Sequence, residues 1–328
     1  MLLSCGDALI DFLPVRSVDG RDAYVPVAGG SCLNVAIAMA RLGAPTGFVG
    51  GVSTDMFGAM IAAHASDSAV DLRYALRGPH ETTLAFVRFI GGEPHYAFYD
   101  EATAARHWSY RRGSIPFVEI DAIHTGSTTL IDGEMASRTL SMLDEARGVA
   151  TISFDPNCRP ALVADKAAYA RQMDAFALRA NILRMSEVDF EFLYSGRDFE
   201  AKAAASIASG VSLVIVTRGG AGTLAWHRSA GFVEVKAPHI EVVDTIGAGD
   251  SFQGALLFAL REIGLIGVEA LASLRRNELE RVLRFAMACA AITCGRVGAD
   301  PPRRADLDAG LIDLLRGEAE RSAGPDHL

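Results

Sequence analysis

Asp244-Thr245-Ile246-Gly247-Ala248-Gly249-Asp250-Ser251-Phe252, followed at once by the apolar run Gly254 to Leu260, is the stretch from which the rest of the chain is organised. Three small residues, Gly247, Ala248 and Gly249, let the backbone turn tightly and aim successive amides into one concavity. A helix starting there adds unpaired N–H donors and the positive end of its dipole, so the turn suits a phosphate. Asp250 is then a carboxylate in a pocket suited to anions, which makes chemical sense if it takes a proton from an attacking hydroxyl. As a plain helix cap it would be sufficient alone, and that alternative leaves the second acid, Asp244, without a purpose.

Outward from this turn, composition narrows the possibilities. At 328 residues the chain can bury a full core in one large α/β domain. Half of it is apolar, yet no run reaches the roughly 18 residues a bilayer demands. A net charge of −9 gives nucleic acid or an anionic membrane no electrostatic reason to bind, so small molecules are the expected partners. The five cysteines, Cys5, Cys32, Cys158, Cys289 and Cys294, are scattered and form no C-x-x-C pair, which fits a reducing cytoplasm. Of the 31 basic side chains only Lys166, Lys202 and Lys236 are lysines, and none stands in a G-x-x-x-x-G-K string, which excludes a P-loop. A dinucleotide fold is excluded too, because Gly247-x-Gly249 meets Phe252 where a third glycine belongs.

Apolar periodicity predicts strands at 2–5 and 24–27, then a helix from a Ser31 cap to Arg41 ending at Gly43. Strand 46–51 and helix 55–69 follow. Extended segments 82–90 and 95–99, joined by Gly91-Gly92-Glu93-Pro94, read as a hairpin that pairs with the segments near Asp11 and Tyr24. They would form a small sheet from about 10–28 and 73–100 that projects from the main domain, 1–310. From Ala122 strands and helices alternate to Leu193, and a β-branched strand ends at Thr217. The expected fold is a doubly wound α/β sheet with right-handed crossovers. Arg159 follows a strand end, where such sheets place ligands, and is a candidate for a phosphate or substrate oxygen, or for an ordinary surface ion pair. A short helix at 311–315 and a frayed tail at 321–328 complete the chain.

The string Asp244 to Phe252 matches D-T-x-G-A-G-D-[ST]-F, and Gly29-Gly30 is followed four residues later by Asn34. In both signatures the sequence resembles the ribokinase-like (PfkB) carbohydrate kinases, from about Leu2 to Asp300, with the flavour of the bacterial fructokinases. The resemblance implies a three-layer fold with a β-sheet lid over the sugar, and a homodimer through that lid. It implies ATP with Mg²⁺, transfer to a primary hydroxyl, and fructose as the acceptor. Asp250 would be the base, with the amides of Gly247, Ala248 and Gly249 around the transferring phosphoryl group. Asp11, Gly29, Gly30 and Asn34 would hold the sugar, and Thr217, Gly219, Gly220, Gly249 and Gly298 the nucleotide. Asp244 and Ile246 would hold a monovalent cation, K⁺. Glu187 and Asp189 would organise Mg²⁺ through water, although Ser186 and Asp189 replace the Asn and Glu of the family pattern.

Acid-specific relatives carry an arginine after the lid tyrosine, where this chain has Asp100-Glu101. Two acids there favour a neutral sugar over 2-keto-3-deoxygluconate. Arg106 and Arg159 keep that acid among the alternatives, beside ribose or a nucleoside, and beside a catalytically silent sugar-binding regulator.

Overall fold

Strands that read as unbroken apolar runs are those buried on both faces of a parallel sheet. The computed structural model describes residues 1–90 and 93–317, so the turn expected at Gly91-Gly92 and the tail expected over 321–328 lie outside the described residues. The first half of the chain comprises β1 (Leu2–Cys5), β2 (Leu9–Arg16), β3 (Asp22–Gly29), α1 (Ser31–Arg41), β4 (Thr46–Ser53), α2 (Met56–Asp67), β5 (Val70–Asp71), β6 (Ala75–Gly78), β7 (Leu84–Ile90), β8 (Glu93–Tyr99) and α3 (Ala104–His107). A regular alternation follows in β9 (Ala122–Gly126), α4 (Gly133–Ala146), β10 (Thr151–Asp155), α5 (Lys166–Ala177), β11 (Ile182–Ser186), α6 (Glu187–Tyr194), α7 (Phe199–Ala208) and β12 (Leu213–Thr217). The hairpin β13 (Thr223–His227) and β14 (Gly231–Val235) leads to α8 (Ala248–Glu262), α9 (Val268–Ala272), α10 (Arg276–Cys294) and α11 (Ala309–Arg316).

The main sheet runs β14-β13-β12-β11-β10-β9-β1-β4-β5, with β6 also paired to β4. It is parallel except at β13 and β14. One face is covered by α4 and α5 through Met142, Leu143, Met173 and Phe176. The other is covered by α8 and α10 through Leu256, Phe258, Leu283 and Phe285. From β1 the sheet grows to β4 and β5 on one side and then to β9 on the other, so the strand order reverses between β1 and β9. That reversal opens a crevice at the carboxyl ends of both strands.

A second sheet, β3-β2-β7-β8, forms the lid. Its second segment starts at Leu84 and not near Arg73, because β6 pairs with β4 and belongs to the body. Alternation gives the lid two faces. Phe12, Tyr24, Phe86 and Tyr99 share one, where Phe12 stacks on Phe86 at 4.4 Å and meets Phe57 of α2 edge-on at 5.5 Å. Asp11, Ala85, Val87 and Tyr96 share the other, which carries Asp11 toward the crevice.

Candidate active site

The glycine turn forms as expected at the start of α8. Gly247 is its N-cap, at φ 74°, and a Cβ there would lie 2.6 Å from the Cβ of Ala299, so the position admits only glycine without movement. Asp244 anchors the turn: its Oδ1 accepts from the Ile246 amide at 3.0 Å and its Oδ2 from the Gly298 amide at 2.9 Å. Ala248 spends its amide on the Thr245 carbonyl at 3.3 Å, which shifts the free donors of the turn toward Gly249 and Asp250.

Beneath the turn lies a residue that sequence inspection did not single out. The Arg184 guanidinium rests against Gly249, so close that a Cβ there would sit 3.0 Å from its Nη2. Arg184 is buried, ion-paired with Asp155, and donates to Thr217 Oγ1 at 2.6 Å. Its plane also faces the Phe252 ring at 5.7 Å. A buried cation is costly without a partner, and Asp155 supplies one. The signal was present in the sequence as a lone arginine inside the apolar strand Ile182 to Met185, but its direction was not.

Asp250 projects from the first turn of α8 toward α1. Ser31 Oγ donates to its Oδ1 at 2.6 Å and Asn34 Nδ2 to its Oδ2 at 2.9 Å. Burial pushes the Asp250 carboxyl up, while these two hydrogen bonds and then Arg159 pull it down. Ser31 was expected to cap α1. Gly30 takes that place at φ 104°, and the cap acceptor comes from Asp7, whose Oδ1 accepts from the Cys32 amide at 2.9 Å. Asp7 in turn accepts from Ser127 at 2.8 Å, across the β1/β9 crevice. The Ser31 hydroxyl is thereby free for Asp250.

Asn34, Asp11 and Arg159 all act on Asp250 or are acted on by it, the first by a hydrogen bond and the other two through charge. Burial, then Asp7, push the Asp11 carboxyl up to about 6; Arg159 opposes them and Asp250 adds to them. Gly29 passes directly under Asp11, since a Cβ there would lie 2.4 Å from its Oδ2. A Cβ on Gly30 would press on the Asp7 carbonyl at 2.7 Å. The Gly-Gly pair is therefore dictated by close approach to the Asp11 side chain and the Asp7 backbone. Asn34 Oδ1 is buried without a partner in the protein, an acceptor left for a ligand hydroxyl. Burial pushes the Tyr96 hydroxyl of β8 up, Arg159 pulls it down, and Asp11 and Asp244 push it up.

Other candidates fall elsewhere or are already engaged. Gly219 and Gly220 form an exposed turn after β12, with open space where side chains would be. Asp189 spends Oδ1 on the Cys158 amide at 2.9 Å and Oδ2 on Ser186 at 2.7 Å, closing a capping box. Glu187 is exposed and lines a groove with Phe190, Glu191 and Arg197. Among the described residues no cluster of three His, Cys, Asp or Glu side chains is placed to hold a metal ion. Asp100 is not the free lid carboxylate expected: Arg106 donates to it at 2.6 Å and also pairs with Asp132 at 3.2 Å.

Residues 1–306 match the profile described as pfkB family carbohydrate kinase. The chain is similar to a fructokinase of Rhizobium leguminosarum bv. trifolii, 34% identical over 281 residues that span 85% of each protein. It is also similar to the crystal structure of a fructokinase with bound ATP from Xylella fastidiosa, with a TM-score of 0.85 and 26% identity over 97% of this chain and 98% of that one. A fructokinase from Vibrio cholerae O395 in its fructose, ADP and calcium ion bound form gives a TM-score of 0.76 at 25% identity, covering 96% of this chain and 98% of that one.

Proposed function

This chain belongs to the pfkB family of carbohydrate kinases and is an ATP-dependent sugar kinase, and from that premise we propose that its acceptor is fructose, converted to fructose 6-phosphate. The observation that carries this reading is the meeting of Asp250, at the head of an anion-suited turn, with Asn34 and Asp11 in one crevice. Asn34 Oδ1 and Asp11 would hold sugar hydroxyls, which brings the reacting hydroxyl to Asp250. Asp250 takes its proton as the oxygen attacks the γ-phosphorus. The turn amides, the N-terminus of α8 and Arg184 behind Gly249 supply the positive field at the transferred group.

A neutral acceptor is favoured by the charges of the crevice. A substrate carboxylate would meet Asp11 and Asp250, with Asp7 behind them, against Arg159 alone on that side. Such repulsion in a partly dry site costs on the order of several kcal/mol. The discrimination first attributed to Asp100 thus passes to Asp11, because Arg106 neutralises Asp100.

Mg²⁺ belongs to the same proposal as a companion of the nucleotide phosphates, with the exposed Glu187 and the hydrogen-bonded Asp189 acting on it through water. A monovalent cation at the Asp244–Ile246 turn would be held by main-chain carbonyls, for the Asp244 carboxylate is committed to two amides. We also place the protein in the cytoplasm, where its five free thiols are stable, and as a homodimer joined through the lid.

ADP release with a panel of acceptors, with and without K⁺ and with the divalent metal chelated, tests the whole reading. Fructose is expected to exceed 2-keto-3-deoxygluconate in kcat/KM by about a hundredfold. A preference for the acid would overturn the fructose assignment. Absence of turnover with every sugar would instead favour a silent binding protein.

A further inference from the structure

The proposed base stands at the end of a hydrogen-bond chain that runs in one direction. Arg159 Nη1 donates to Asn157 Oδ1 at 2.5 Å, Asn157 Nδ2 donates to Ser31 Oγ at 2.5 Å, and Ser31 Oγ donates to Asp250 Oδ1 at 2.6 Å. Each link sets the polarity of the next. A guanidinium only donates, so the Asn157 amide turns its oxygen to Arg159 and its nitrogen to Ser31. That nitrogen also only donates, which leaves the one hydroxyl proton of Ser31 for Asp250. Asp250 must therefore accept at Oδ1, as an ionised carboxylate does.

The backbone shows how firmly this chain is held. Asn157 adopts φ 39°, in the left-handed region that few residues other than glycine occupy. Its amide donates to Asp155 Oδ1 at 3.0 Å, and Arg159 Nη1 also reaches the carbonyls of Asn157 at 3.2 Å and Cys158 at 3.0 Å. The side chain of a strained loop residue is thus delivered across the crevice to the first turn of α1.

We infer that Ser31 and Asn157 are positioning residues that orient Asp250 and hold it ionised before transfer. The inference rests on Asp250 being the base. In the step, the O–H bond of the sugar breaks and its proton passes to the Asp250 carboxylate, whose Oδ1 is held by Ser31 and whose Oδ2 is held by Asn34. The freed electron pair forms the bond to the γ-phosphorus, and the bond from that phosphorus to the bridging oxygen breaks, its electron pair leaving with ADP. The charged and titratable groups that act on Asp250 or are acted on by it are Asp7, Asp11, Cys32, Arg159 and Arg184. Asp7 and Asp11 disfavour its charge and the two arginines favour it, but the nearest support is the Ser31 hydroxyl.

The test is the pH profile of kcat at saturating fructose and ATP, which reports groups of the bound complex. Ser31→Ala should move the acidic limb upward by about one pH unit, because the ionised carboxylate loses a charge-assisted hydrogen bond. Asn157→Gly keeps the left-handed backbone without strain and should move the limb the same way by less, since Ser31 is then loosened and not removed. Ser31→Thr, which retains a hydroxyl, should restore the limb toward that of the parent. Limbs unmoved in both Ser31→Ala and Asn157→Gly, with Asp250→Asn inactive, would overturn the inference and leave the base assignment standing. Turnover by Asp250→Asn at near the parent rate would overturn the base assignment itself.

Discussion

Asp11 lies among three charged neighbours in the crevice, and burial with Asp7 and Asp250 outweighs Arg159 to push its pKa up to about 6. An ordinary aspartate ionises near 4, so its charged form is penalised by folding. That penalty is absent well below pH 4, grows between about 4 and 6, and is complete above 6. Asp11→Asn should therefore raise Tm at pH 7.5 more than at pH 4.5, while raising KM for fructose; the parent KM should itself rise as pH falls through about 6. An Asp11→Asn protein with lower Tm at pH 7.5 and unchanged KM would contradict this account. In the sequence, Asp250 stood out by its place in the glycine turn and Arg159 by its place after a strand end, while Asp11 and Asn34 were expected from the family resemblance. The roles of Ser31, Asn157 and Arg184 were not legible, since they arise from partners 219, 126 and 29 residues away.

Among elements, the parallel strands and the helices with clear apolar faces followed from periodicity, as did the pairing of β2 with β7 in the lid. α7 escaped because the alanine-rich run Ala203-Ala204-Ala205 favours helix without marking a face. The Ser31 cap failed because a tertiary acceptor, Asp7, displaced a local one. Phe86 is packed between Phe12, Tyr24 and Tyr99. Apolar surface nonetheless stays open on the lid: Val25 is 45% exposed, Tyr24 44% and Tyr99 63%. A four-stranded sheet with both faces partly apolar fits the proposed cover by a second copy. Light scattering should give twice the 34.8 kDa chain mass, and Val25→Asp should halve it. A monomer at micromolar concentration would remove the dimer.

At the scale of the whole molecule, the site is assembled from distant segments that the sheet order brings to one place. The reversal between β1 and β9 sets the N-terminus of α1 against that of α8, and Asn34 meets Asp250 across 216 residues of chain. In the proposed reading each half contributes what the other lacks: α8 the anion-suited turn and the base, α1 and the lid the hydroxyl ligands. The two signatures in the sequence were legible as separate strings, whereas their contact needed the fold. The central claim, that Asp250 takes the proton of the sugar hydroxyl, is tested most directly by Asp250→Asn, which keeps the shape but cannot accept the proton. The account predicts that kcat falls by about a thousandfold or more while fructose and ATP affinities, measured by calorimetry, stay within a few-fold. A kcat within tenfold of the parent, or an equal loss in fructose affinity, would contradict it.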